Sequence, residues 1–340
     1  METVRIGMAG LGSWGKNVVR CFSRAKGAEL RAICDGDAGK LAVQAGLYPD
    51  ATPVTDFQAL LDDPELEAIA LATPAPTHFA LGMRALEAGK HLFVEKPMTL
   101  SAADAETLCA TAERLGRTLM VGHLLEYHPA VDWMKTYLDS GALGAPLYLY
   151  SQRLNLGTVR PDENALWSLA PHDISVILYL FGAMPESVAA HGEDFLQPGI
   201  EDVVFVYLRF PDGRAGQIHI SWLDPHKERK MVLVGAQTMV VFDDMAPMET
   251  LRVYNKGAVL PESPNRTQVT VRHGDVLIPH VNAGEPLQTE CQHFIDAIRT
   301  HTPPRSDGRD GLRVVRILEA ADRSLKQGGV PVMLETAVSR

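Results

Sequence analysis

Roughly the first 120 residues alternate short apolar runs with helical stretches, and this alternation narrows the fold more than any other feature of the chain. Val4–Ala9 is a short apolar run and Trp14–Ala25 is helical in pattern; Glu29–Cys34 and Asp37–Ala45 repeat the pair. A short helical turn at Phe57–Leu61 precedes the run Ala68–Ala72. Thr77–Ala88 is helical, His91–Val94 reads as a strand, Ser101–Leu115 as a helix and Thr118–Val121 as the closing strand. Ser101 with Asp104 makes a capping box, and Gly116 stops that helix. Strands alternating with helices of this length predict βαβ units and a parallel sheet.

After Gly122 the texture changes. Helices are expected over Pro129–Asp139 and Pro171–Phe181, with a strand around Leu147–Leu154. Then come β-like runs at Val203–Phe210, Ala215–Trp222, Lys230–Val234, Met239–Phe242, Glu249–Tyr254 and Gln268–Val276, and two closing helices, Gln288–Thr300 and Asp310–Gln327. Consecutive strands joined by turns such as Pro211-Asp212-Gly213-Arg214 suggest an antiparallel or mixed sheet. The expectation is an α/β protein: a nucleotide-type domain over 1–122 and an α+β domain with a large mixed or antiparallel sheet over 123–340. A length of 340 residues favours two domains, and 46% hydrophobic residues are ample for their cores.

Charge and punctuation exclude several classes. A net charge of −10 offers no electrostatic footprint for nucleic acid or an anionic membrane. The apolar runs fall short of the roughly 18 residues needed to span a bilayer. The stretch METVRIGMAG has neither a basic n-region nor a cleavage site, so no signal peptide is expected. Cys21, Cys34, Cys109 and Cys291 are scattered without CxxC spacing, so neither zinc nor a disulfide framework is expected, and no metal. The sequon Asn265-Arg266-Thr267 reads as accidental in a soluble cytoplasmic protein.

Gly10-x-Gly12-x-x-Gly15 follows the first strand directly. Glycines there allow a tight turn and close approach of backbone to a pyrophosphate, while the following helix offers free amides. Asp35 lies 20 residues after Gly15, where an acid would accept hydrogen bonds from an adenosine ribose. The competing reading is that Asp35 merely caps the next helix. Asp35-Gly36-Asp37 carries no arginine, and two acids would repel a 2′-phosphate, so NAD is preferred to NADP. Thr73 and Pro74 would line the same sheet edge. For Thr77 an ordinary helix N-cap is the better reading.

Lys96 follows the strand His91–Val94 and so emerges at that edge. Beside the positive ring of NAD⁺ a lysine loses proton affinity and can polarise a substrate hydroxyl. Pro97 fixes the chain there, and X–Pro bonds are where cis peptides occur.

Taken in order, Gly-Leu-Gly-Ser-Trp-Gly, Ile33-Cys34-Asp35, Ala72-Thr73-Pro74-Ala75-Pro76-Thr77-His78, Val94-Glu95-Lys96-Pro97 and Val121-Gly122-His123 resemble the glucose–fructose oxidoreductase/inositol dehydrogenase (Gfo/Idh/MocA) family. The resemblance covers essentially the whole chain. It implies a Rossmann domain, a C-terminal α/β domain whose sheet often mediates homodimers or homotetramers, sugar-like substrates and a catalytic Lys96. On that reading the cofactor-binding residues are Gly10, Gly12, Ser13, Trp14, Gly15, Asp35, Thr73, Pro74, His78, Glu95, Lys96 and Pro97.

The second informative stretch is Leu166–Gly182. Ile174, Ile177, Leu178 and Phe181 form a helical stripe, and Pro171 suits a first turn, so His172 and Asp173 are expected at a helix N-terminus. There the dipole would favour a neutral His172, able to act as a base. Spacing alone would leave His172 as a polar first-turn residue; the resemblance implies that it is the family's active-site histidine. Ser168 stands where the family commonly has an aspartate, which puts a carboxylate-assisted relay in doubt. "GHLLEYHPAV", "RLNLG", "LWSLAPHDIS" and "SWLDPHKERK" look like the nucleotide-sugar 3-dehydrogenase branch, acting on UDP-N-acetylglucosamine or its uronic acid. Glu126, Tyr127, Arg153, Asn155, Trp167 and Ser168, with Lys96 and His172, are then the candidate substrate contacts. His226, Lys227, Arg229 and Lys230 are either a diphosphate-facing cluster or a solvated face. Two other readings stay open: an inositol, free-sugar or keto-sugar enzyme of the same family, and a non-catalytic NAD-binding sensor.

Overall fold

The structure, a computed structural model, describes residues 3–259 and 270–334; the sequon at Asn265 lies outside them. The chain divides into two units, Met1–Tyr127 with Gly284–Arg316 and His128–Ala283 with Ile317–Arg340.

In the first unit the elements are β1 (Val4–Ala9), α1 (Gly15–Arg24), β2 (Ala28–Cys34), α2 (Ala38–Leu47), β3 (Thr52–Val54), α3 (Gln58–Asp62), β4 (Ala68–Leu71), α4 (His78–Glu87), β5 (His91–Glu95), α5 (Ala102–Leu115) and β6 (Leu119–Gly122). Every strand pairing is parallel, in the order β3-β2-β1-β4-β5-β6. Strand order reverses between β1 and β4, which opens a crevice at their carboxyl ends. The four residues of β4 are all fully buried, as a strand covered on both faces requires. Ser101 Oγ accepts from Asp104 N (3.1 Å), and Gly116 ends α5 at φ +61°. The edge strand β3 escapes sequence reading because it is three residues long and contains a proline.

The later elements are α6 (Pro129–Asp139), β7 (Pro146–Leu154), α7 (Ala165–Phe181), β8 (Ser187–Glu193), β9 (Val203–Arg209), β10 (Ala215–Ser221), β11 (Glu228–Gly235), β12 (Met239–Asp243), β13 (Leu251–Tyr254), β14 (Gly257–Val259), β15 (Thr270–Arg272), β16 (Val276–Leu277), α8 (Pro286–Thr300), α9 (Gly308–Lys326) and β17 (Val332–Met333). Among the described residues nine strands form one sheet, β16-β13-β12-β11-β7-β10-β9-β8-β17, in which only β7 and β10 pair in parallel. It is therefore a mixed sheet. α7 packs on β7, β9 and β10, and α6 on β12.

The division at Gly122 needs correcting in one respect. Residues 284–316 return to the first unit, where α8 lays Leu287, Cys291, Phe294, Ile295 and Ile298 into the core under β1 and α1. Phe294 meets Phe22 and Phe93 edge-on at 5.9 and 5.8 Å. Val121 N donates to Ser306 O (2.8 Å), so the returning chain also covers the β6 edge. An amphipathic helix shows that one face is buried but not which core it covers, and this is why the return is invisible in sequence.

Candidate active site

The glycine turn is built for a backbone that no side chain permits. Gly10 sits at φ +91°, and a Cβ there would lie 2.5 Å from Ala72 O; a Cβ at Gly15 would run into Gly10 O. At Gly12 a Cβ would meet nothing within 4 Å, so the turn presents open room to a ligand. Asp35 closes the turn from the end of β2: Oδ2 accepts from Leu11 N (2.7 Å) and Oδ1 from Asp37 N (2.8 Å). The helix cap is Asp37, which accepts from Gly39 N and Lys40 N, so Asp35 is not spent on capping. Each carboxylate oxygen of Asp35 retains a lone pair for a ribose hydroxyl. Ser13 and Trp14 are exposed on the turn. These residues fit NAD.

At the neighbouring strand end, Glu95 is buried and Lys96 half-buried. The Trp14 indole N–H donates to Glu95 Oε1 (2.6 Å), and Lys96 N donates to Oε2 (3.3 Å). A Cβ at Gly122 would lie 3.0 Å from that carboxyl group. Burial pushes the Glu95 carboxyl up, against the indole and the Lys96 charge, which favour the anion. The Lys96–Pro97 bond is cis. His78, expected among the cofactor contacts, is instead buried beneath the crevice, its Nδ1 2.9 Å from Pro97 O and its Nε2 2.9 Å from Thr73 O. A neutral ring donates to only one of these carbonyls; burial holds the His78 pKa below its ordinary value. Thr77 makes no cap bond, and its hydroxyl lies 2.7 Å from Thr73 Oγ1 and from Pro74 O. The first unit thus brings Gly10–Gly15, Asp35, Thr73, Glu95 and Lys96 to one sheet edge.

Glu126 and Tyr127 are not placed as substrate contacts. A single helical turn at Leu124–Tyr127 rotates both inward, leaving them 1% and 2% exposed. Tyr127 Oη reaches Ser306 Oγ (3.2 Å) and His293 Nδ1 (3.0 Å). Glu126 belongs to a buried cluster that sequence reasoning missed. His123 Nδ1 is 2.7 Å from Asp310 Oδ2 and 3.5 Å from Glu126 Oε1, and Arg313 donates to Asp310 Oδ1 (2.7 Å). The ligating atoms of this trio lie within 4.8 Å of one another, a spacing a metal ion could bridge. The His123–Asp310 hydrogen bond joins two of the three, while Glu126 Oε1 is buried without a hydrogen-bond partner among the described residues.

In the second unit, Asn164 caps α7 through Trp167 N (3.1 Å), and Pro171 lies inside the helix. The expected start at Pro171 is therefore wrong by six residues, because Ala165, Leu166, Leu169 and Ala170 are good helix formers behind an asparagine cap. His172 and Asp173 sit mid-helix, so the dipole argument for them falls. Ser168 and His172, one turn apart, share a face. Asp173 is buried and held by Arg153 (Nε–Oδ2 2.7 Å), which occupies part of a guanidinium expected on substrate. Trp167 is half-buried and Asn155 is exposed just past β7, its N–H on Ser221 O. His226 and Lys227 are exposed, while Arg229 pairs with Asp244 (3.3 Å).

Residues 4–123 match the profile of an oxidoreductase family with an NAD-binding Rossmann fold, and 131–241 match the GFO/IDH/MocA C-terminal domain. The UDP-N-acetylglucosamine 3-dehydrogenase of Acidithiobacillus ferrooxidans is 30% identical over 93% of this chain and 95% of its own. Its crystal structure superposes with a TM-score of 0.80 over 96% of this chain and 99% of that one, at 26% identity. The NAD⁺-dependent scyllo-inositol 2-dehydrogenase of Bacillus subtilis is 26% identical over 98% and 96% of the two chains. With both halves matched and the glycine turn in place, the chain belongs to the Gfo/Idh/MocA family of NAD-binding oxidoreductases.

Proposed function

We propose that the protein oxidises a ring hydroxyl of a sugar, with C3 of a UDP-N-acetylhexosamine or its uronic acid as the reacting position. The observation that carries the reading is the placement of Lys96 at the end of β5, beside the glycine turn and fastened to it through Glu95 and Trp14. The turn and Asp35 would hold NAD, and bound nicotinamide supplies the hydride acceptor. Lys96 and His172 would take the hydroxyl proton, Lys96 stabilising the developing alkoxide. Ser168, on the face of His172, can relay a hydrogen bond but carries no charge. Most of the rate gain would come from orientation. The nucleotide-sugar preference draws on the likeness to the Acidithiobacillus enzyme, and the likeness to scyllo-inositol 2-dehydrogenase supports the second reading, an inositol or free-sugar enzyme. The working form on this proposal is a homodimer or homotetramer.

Nicotinamide fluorescence after mixing protein and NAD⁺ with UDP-N-acetylglucosamine, its uronic acid, UDP-glucose and myo-inositol tests this. A UDP-sugar is expected to give the signal, and Lys96→Met to lower it by about 10²–10⁴-fold with NADH still bound. Signal from inositol alone would favour the second reading. Silence with NAD bound would favour a sensor.

A further inference from the structure

Trp14 is 40% exposed in the middle of the glycine turn, where a solvated residue would be expected. Its indole nevertheless reaches 81 residues along the chain to donate a 2.6 Å hydrogen bond to Glu95, which is 7% exposed. The Glu95 carboxyl is held from three sides. The indole donates to one oxygen and Lys96 N to the other, and the backbone of β6 lies close enough that a side chain at Gly122 would collide with it. A side chain fixed this way has one conformation. It transmits the position of one loop to another, because two of its three contacts belong to different loops.

We propose that Trp14 and Glu95 are a positioning pair: their hydrogen bond ties the turn that receives the cofactor's pyrophosphate to the strand end that carries Lys96, so that seating the cofactor and aiming the lysine become one event. This rests on Lys96 being the catalytic lysine. Neither side chain needs to touch substrate for the role. Removing the indole N–H leaves a buried acceptor without its partner and frees the turn from β5. The aim of Lys96 and the grip on the cofactor should then loosen together.

The test is a double-mutant cycle on the full-length protein with two readouts. One is NADH affinity by fluorescence titration; the other is the single-turnover rate of NAD⁺ reduction by whichever sugar the panel identifies. Trp14→Phe keeps the ring and loses the donor, and should weaken NADH and slow reduction by about tenfold each. Glu95→Gln keeps an oxygen for the indole and should lose less than Glu95→Leu. The Trp14→Phe/Glu95→Leu double variant should be no worse than the poorer single, because both remove one contact. A merely structural role would lower the thermal midpoint of Trp14→Phe while leaving its NADH affinity and single-turnover rate, measured well below that midpoint, at the wild-type values. Multiplicative effects in the cycle, or wild-type affinity and rate in Trp14→Phe, would overturn the pair. NADH titration needs no sugar, so the cycle still reads the pair if the wild type oxidises nothing in the panel, an outcome that would count against the proposed reaction instead.

Discussion

His123 is buried beside two acids that favour its charged form. Burial opposes its ionisation, yet Asp310 at 2.7 Å and Glu126 at 3.5 Å outweigh that cost and push its pKa up to about 9. Asp310 is the partner that matters, since Arg313 lies against it and His123 holds it below the ordinary range despite burial. Glu126, buried and facing the charge of Asp310, is raised to about 8; Glu95 on β5 is a further acid near the imidazolium. In the unfolded chain His123 titrates near 6.5, so its contribution is complete below that pH and is lost as pH rises through about 9. Glu126 acts with the same sign, because the folded state binds its proton more tightly than the unfolded state does. The urea midpoint should therefore fall from pH 6 to 9.5, by an amount equivalent to a few kcal/mol at most. His123→Gln should be less stable at pH 6 and show a flatter decline. A wild-type midpoint that stays level over this range would remove the buried imidazolium. The glycine turn and the strand-end position of Lys96 are legible in sequence because each directly follows a short apolar strand. The inward turn of Glu126 and Tyr127 is not, because the direction in which a polar residue points after a strand is set by the tertiary turn.

The same separation holds for elements. Parallel strands buried on both faces, such as β4 and β5, stood out as apolar runs, whereas β8, built from Ser187, Val188, two alanines and Gly192, had too little apolar contrast to register. Pro171 reads as a helix start because proline favours that position, but the run before it extends the helix upstream. Helix α8 carries its own contradiction. Glu290 sits in the stripe of Leu287, Cys291, Phe294 and Ile298, is 0% exposed, and among the described residues neither carboxyl oxygen has a hydrogen-bond partner. Burial drives its carboxyl well up, and the nearby acids Glu95 and Glu126 add to the effect. A helix that buries such a group spends stability that a methionine of similar reach would not. Glu290→Met is expected to stabilise the protein by about 1–3 kcal/mol in urea at pH 7. Destabilisation would mean that the carboxyl has a functional partner when the cofactor or solvent is bound.

At the scale of the molecule, the nine-stranded sheet leaves an apolar surface in the open. β7, β9 and β10 bury one set of side chains beneath α7: Leu149 and Ser151, Val204, Val206 and Leu208, Ile218 and Ile220. The alternate set faces outward, with Tyr148 43%, Phe205 44% and Tyr207 50% exposed. Register aligns these residues into rows: Tyr207 lies opposite Gln217, which lies opposite Tyr150, and Phe205 lies opposite His219. Phe205 stacks on His219 at 4.3 Å, and Tyr148 on Tyr150 at 6.5 Å, so the face is an ordered aromatic one with Gln217 and His219 set between the rings. Contiguous exposed apolar faces of this kind mark protein interfaces. A second copy of the chain meeting this face across a two-fold axis would cover it with the same face, residue i of one copy meeting residue j of the other and j meeting i, without requiring a different partner surface. Light scattering behind size exclusion should therefore give a dimer or tetramer mass for the wild type, and Phe205→Glu/Tyr207→Glu should shift it to a smaller species with the NADH affinity of the glycine turn unchanged. A wild type that is monomeric at all concentrations would remove the self-interface, an assembly indifferent to two buried charges would place it elsewhere, and either would leave the aromatic rows to another role.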